Sequence, residues 1–75
     1  MDSRDVLNKM KWHENYDFGE VRIWYISRGK NENMSVVKGS EITELGKHFF
    51  MTKSGTIPYH RIIKIEYGKE VVFEV

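Results

Sequence analysis

The residues best suited to chemistry lie in one run, Gly55-Thr56-Ile57-Pro58-Tyr59-His60-Arg61-Ile62. Pro58 cannot donate to a strand ladder, so it ends a strand at Ile57 or opens a single 3₁₀ turn through Tyr59 and His60. Such a turn presents an imidazole and a guanidinium side by side. Arginine offers a planar two-pronged donor, and a histidine donates whether neutral or charged, so His60 and Arg61 together suit a phosphate. Tyr59, beside the proline, is read as partly exposed and able to stack on a nucleobase, a contact worth about 1–3 kcal/mol. Arg28-Gly29, closing the first strand, offers a second cation and an exposed backbone amide. The plainer alternative makes all of these ordinary turn and strand-end residues, and Lys53 is read as only a solvated hairpin tip.

Other chemistries are not signalled. His13, His48 and His60 lack the spacing of a zinc site, and there is no cysteine to supply thiolates. The triplets His13-Glu14-Asn15, His48-Phe49-Phe50 and His60-Arg61-Ile62 do not form the paired His-x-Ser/Thr motifs of a two-histidine phosphodiesterase. A ribonuclease-like acid and base pair requires folding to bring His48 and His60 together. There is no phosphate-binding glycine loop and no nucleophile elbow. The expectation is a binding module and not an enzyme, with no cofactor and no metal.

The elements that must hold these residues are short. Residues 3–12 read as a helix capped by Ser3 or Asp2, with Asp5 in the first turn, Lys9 and Lys11 in the last, and Val6, Leu7 and Met10 on one face. Ten residues cannot hold a helix alone, so it must dock. Residues 20–28 alternate as a strand, with Val21, Ile23 and Tyr25 on one face and Arg22, Trp24, Ile26 and Arg28 on the other. Residues 29–34 read as a polar loop and 36–37 as a brief strand. Ile42, Leu45 and Phe49 fit a helical spacing, but one helical turn at 40–42 followed by strands at 42–45 and 47–52 is preferred. Lys53-Ser54-Gly55 is read as a three-residue hairpin connection, 62–67 as a strand, Gly68-Lys69 as a type II′ turn and 70–75 as the last strand. Trp12 and Trp24 are read as core or helix-docking residues. The sum is an α+β fold, in which a short N-terminal helix packs on a strongly twisted, barrel-like antiparallel sheet of about five strands.

Seventy-five residues allow a single domain, 1–75. Twelve Lys/Arg against eleven Asp/Glu leave a net charge of +1, which argues against coating a long duplex. No apolar run has the roughly 20 residues of a membrane span, and the charged N-terminus is not a signal peptide. A cytoplasmic address and no membrane partner are the expectation.

Leu7-Asn8-Lys9 with Trp12, Arg28-Gly29, Gly39-Ser40-Glu41-Ile42, Phe49-Phe50, Gly55-Thr56 and Ile57-Pro58-Tyr59-His60-Arg61-Ile62 resemble, in order, a family of small, mostly archaeal proteins. It is the RNA cyclic-group end recognition domain family, long filed as a domain of unknown function. The resemblance implies binding to RNA ends that bear a cyclic phosphate, with His60 and Arg61 as ligand residues and Arg28 beside them. Ser27 stands where the resemblance places a histidine. Two readings follow: an RNA-end binding module, or a protein-protein interaction module of an RNA-processing complex with no RNA affinity of its own.

Overall fold

The computed structural model describes residues 2–27 and 34–75. Helix α1 spans Ser3–Trp12, and seven strands follow: β1 (Val21–Ile26), β2 (Met34–Lys38), β3 (Ile42–Leu45), β4 (Phe49–Thr52), β5 (Gly55–Pro58), β6 (Ile62–Tyr67) and β7 (Glu70–Glu74). Single 3₁₀ turns at Phe18–Glu20, Gly39–Glu41 and Tyr59–Arg61 each lead directly into a strand. The fold is α+β, as the sequence indicates. The strands are more numerous than the expected five, however, and they form two antiparallel sheets instead of one curled barrel: β2-β1-β6-β7 and β3-β4-β5. The physical reason is that the second and third 3₁₀ turns break the ladder, so the middle three strands pair only with each other.

Helix α1 forms where its caps permit. The Asp2 side chain accepts a hydrogen bond from the Asp5 amide at 2.9 Å, which satisfies one of the first-turn donors. Asp2, not Ser3, is therefore the cap. Val6, Leu7 and Met10 are buried and join Val21, Ile23, Val37, Phe50, Ile57, Ile62 and Ile65 in the core. This apolar face is what holds so short a helix in place.

The sheet registers carry the alternation read from the sequence. Ile23 lies opposite Val37 on one side and Ile65 on the other, so three inward side chains meet across three strands. On the opposite face the half-buried Trp24 donates from Nε1 to Glu66 Oε1, with Lys64 Nζ 4.9 Å from its ring centre. Trp24 thus covers the outer face and is not a core residue. Trp12 departs further from expectation: it ends α1 at 79 % exposure, docking on nothing.

The turns are tighter than read. Thr52 pairs with Gly55, so Lys53-Ser54 alone connects β4 to β5, and Gly55 opens β5 with φ +148°, a conformation side-chain-bearing residues rarely take. Gly68 has φ +59° and no non-glycine residue among those described has positive φ, as a type II′ turn at Gly68-Lys69 requires. Among the described residues no helix is long and apolar enough to cross a membrane.

Candidate anion-binding site

The three-stranded sheet builds the site. In the β4–β5 hairpin Phe49 stands opposite Pro58, and one step further out the Tyr59 amide donates to the His48 carbonyl at 3.2 Å. The chain then turns through Tyr59–Arg61 with Pro58 as the entry residue at φ −65°, the value its ring enforces. Tyr59 is the pin of this turn. Its ring packs against Phe50 at 5.7 Å, and its hydroxyl donates to the Gly46 carbonyl at 2.7 Å. Its own carbonyl accepts from Ser3 Oγ at 3.4 Å, which ties the first turn of α1 to the same corner. Glycine is needed at Gly46 by the tight β3–β4 turn, where its amide donates to the Phe49 carbonyl at 2.9 Å and a Cβ would lie 2.7 Å from that oxygen.

Tyr59 is therefore 8 % exposed, and the expectation of a partly exposed base-stacking ring is corrected. The proline corner turns the ring inward because a hydroxyl can be buried only with a partner, and the Gly46 carbonyl supplies one. Burial pushes the Tyr59 phenol above the ordinary tyrosine range, and the Arg4 guanidinium pulls it part of the way back.

Around that pin lies a cleft of about 370 Å³, lined by Asp2, Ser3, Arg4, Lys47, His48, Tyr59 and His60. The volume is at the lower end of the roughly 300–1,000 Å³ typical of small-molecule sites. Four side chains able to carry positive charge converge there from the helix, the β3–β4 turn and the 3₁₀ turn, and Arg4, Lys47, His48 and His60 are all exposed. Among the described residues Asp2 is the one carboxylate lining it, and that side chain already caps α1. The positive end of the helix dipole adds to the same field. Arginine, lysine and histidine donors around a concave surface can hold an oxyanion such as a phosphate.

Arg61 does not join them. It lines a second depression of about 190 Å³, among Tyr25, Ser27, Thr52, Ser54 and Thr56. The side-by-side clasp of His60 and Arg61 read from the sequence is thus corrected. A 3₁₀ helix has 3.0 residues per turn, so consecutive side chains leave its axis about 120° apart. His60 and Arg61 serve two different concavities. Arg28 and Gly29 lie outside the described residues.

The whole length of the chain can be set beside known proteins. Residues 1–74 match the model of the MJ1316 RNA cyclic group end recognition domain. The chain belongs to this family. A UPF0248 protein from Archaeoglobus fulgidus is 47% identical over 68 residues, covering 89% of this chain and 96% of its own. UPF0248 proteins from Methanopyrus kandleri and Methanococcus maripaludis are 33% and 30% identical, covering 80% and 95% of this chain and 81% and 95% of their own. No solved structure matches the chain significantly.

Within this family member, Arg4 and Lys47 are the cleft residues that sequence reasoning missed, and His48 was considered only as a catalytic partner of His60. The signal for His48 was available. With a two-residue turn at Lys53-Ser54, pairing of Thr52 with Gly55 carries Phe49 to Pro58 and leaves His48 beside Tyr59. Arg4 had no such signal, because only the docking of α1 on the 3₁₀ turn brings it in. Among the described residues no three His, Asp or Glu side chains are grouped to hold a metal ion.

Proposed function

We propose that this domain is a binding module for RNA ends that carry a terminal phosphate, the 2′,3′-cyclic form included, and that it acts in the cytoplasm as a binder without catalysing a reaction. The observation that carries the reading is the convergence of Arg4, Lys47, His48 and His60 on one cleft where Asp2 is the one acid among the described residues. The family's printed description, RNA cyclic group end recognition, supports the same ligand class. A terminal phosphate needs only a few such donors, which suits a chain of net charge +1. It also has only a few counterions to displace, so the salt dependence of binding is shallow, with a slope of about −1.

Fluorescence anisotropy with short labelled RNAs that differ only at the 3′ end tests this. Phosphate-bearing ends bind at least about tenfold more tightly than a 3′-hydroxyl end, since each charge-assisted hydrogen bond is worth about 1.5–3 kcal/mol. The Lys47→Ala/His60→Ala double variant keeps its circular dichroism spectrum and loses that preference. Equal weak binding to all three ends would remove the proposal. It would favour the interaction-module reading instead, in which RNA-processing proteins are the partners.

A further inference from the structure

The depression around Arg61 has a composition of its own. Among the described residues its lining contains no carboxylate, and five hydroxyl-bearing residues line it together with Arg61: Tyr25, Ser27, Thr52, Ser54 and Thr56. Thr52 is committed to the hairpin turn, donating from Oγ1 to the Gly55 carbonyl at 3.0 Å and accepting from the Ser54 amide at 3.1 Å. Arg61 is half-buried, and it makes no hydrogen bond or ion pair to the described residues. A guanidinium in a depression lined by hydroxyl-bearing residues, with no acid among the described residues there, is suited to an oxyanion. Arginine forks and Ser, Thr and Tyr hydroxyls are the groups that contact nucleic-acid phosphates without reading bases.

We infer that this depression is a second phosphate subsite, which holds an internal phosphodiester of the same RNA strand whose terminal phosphate occupies the His48–His60 cleft. The inference rests on the RNA-end reading and extends it to the length of the ligand. The two concavities lie toward opposite ends of the β4–β5 hairpin, one beside Phe49 and Pro58, the other beside Thr52 and Gly55. At about 3.4 Å per strand residue their centres are on the order of 10 Å apart, too far for one phosphate to reach both. Successive phosphates of a strand lie farther apart through space than the axial rise of about 3.4 Å per nucleotide, so a strand of roughly two to four nucleotides is long enough to reach from one concavity to the other. The turn Tyr59–Arg61 sits between them, with His60 serving the end group and Arg61 the strand behind it. The contact carries no sequence preference, because it is made to the backbone.

Titration calorimetry with uridine 2′,3′-cyclic monophosphate and with cyclic-ended oligouridylates of two, three and four nucleotides tests this. In the wild type the longest ligand binds about tenfold more tightly than the mononucleotide, the gain from one tethered second contact. Arg61→Ala abolishes the gain with length and leaves mononucleotide affinity unchanged. Thr56→Asp, at an exposed position, does the same by placing a carboxylate in the depression, which covers the case in which Arg61→Ala fails to fold. Arg61→Ala and Thr56→Asp weakening all ligands equally, or none, would overturn the second subsite while the end-binding reading stands. A wild type that binds none of the four ligands would remove both.

Discussion

In the four-stranded sheet Arg22 stands opposite Glu66 and Lys64 opposite Glu74, and Lys64 also lies over the Trp24 ring. At the outer end of the three-stranded sheet Arg4, Lys47, His48 and His60 share one cleft with a single carboxylate among the described residues, and Arg61 occupies a depression lined by none of the described ones. The chain has almost equal numbers of acids and bases, so the difference is one of placement. A cation in register with a carboxylate across a strand pair feels a favourable field, worth at most a few tenths of a kcal/mol at the surface. Where cations converge with few acids among the described residues, they repel one another slightly and give a field suited to an anion. Of the two sheets the larger contributes more side chains to the core, and the smaller one positions the candidate site.

The contrast breaks most severely at Phe50, the fully buried ring of β4 that packs against Tyr59. Phe50→Ala lowers stability by about 3–5 kcal/mol, read by urea denaturation, because it leaves a cavity where the small sheet meets the core. A loss under 1 kcal/mol would show that the small sheet is not packed as described. Tyr59 sharpens the comparison more gently. Tyr59→Phe costs about 1 kcal/mol, the net worth of one hydrogen bond to the Gly46 carbonyl. The wild-type phenol has its pKa raised in the folded state, so the folded chain keeps a proton that the unfolded chain releases above about pH 10. Its stability is present in full below that pH and falls as pH rises toward the folded-state value. Denaturation midpoints from pH 8 to 11 therefore decline more steeply for the wild type than for Tyr59→Phe. Parallel declines would contradict the burial of the hydroxyl.

Local features were legible in the sequence because local physics decides them. The face of α1 with Val6, Leu7 and Met10, the strand Ile62–Tyr67 and the 3₁₀ turn after Pro58 all follow from periodicity or from proline's fixed φ. The division into two sheets was not legible, because β1 pairs with β6 across a long stretch of chain and no short-range signal selects that partner. Tyr59 was misread for a related reason: its buried hydroxyl depends on a carbonyl 13 residues away, at Gly46. Trp12 was misread because a large apolar ring says nothing about which side of a helix end faces the protein. The divergence of His60 and Arg61, by contrast, follows from 3₁₀ geometry alone.

The central claim is that a phosphate group sits among Arg4, Lys47, His48 and His60. Nuclear magnetic resonance titration of the isotopically labelled domain with uridine 2′,3′-cyclic monophosphate tests it most directly. Saturable shifts concentrated on the amides and side chains of those four residues, with the Arg22, Lys64 and Glu66 face unmoved, are the predicted result. Shifts confined to that outer face of the large sheet, or no saturable shifts at millimolar ligand, would contradict it.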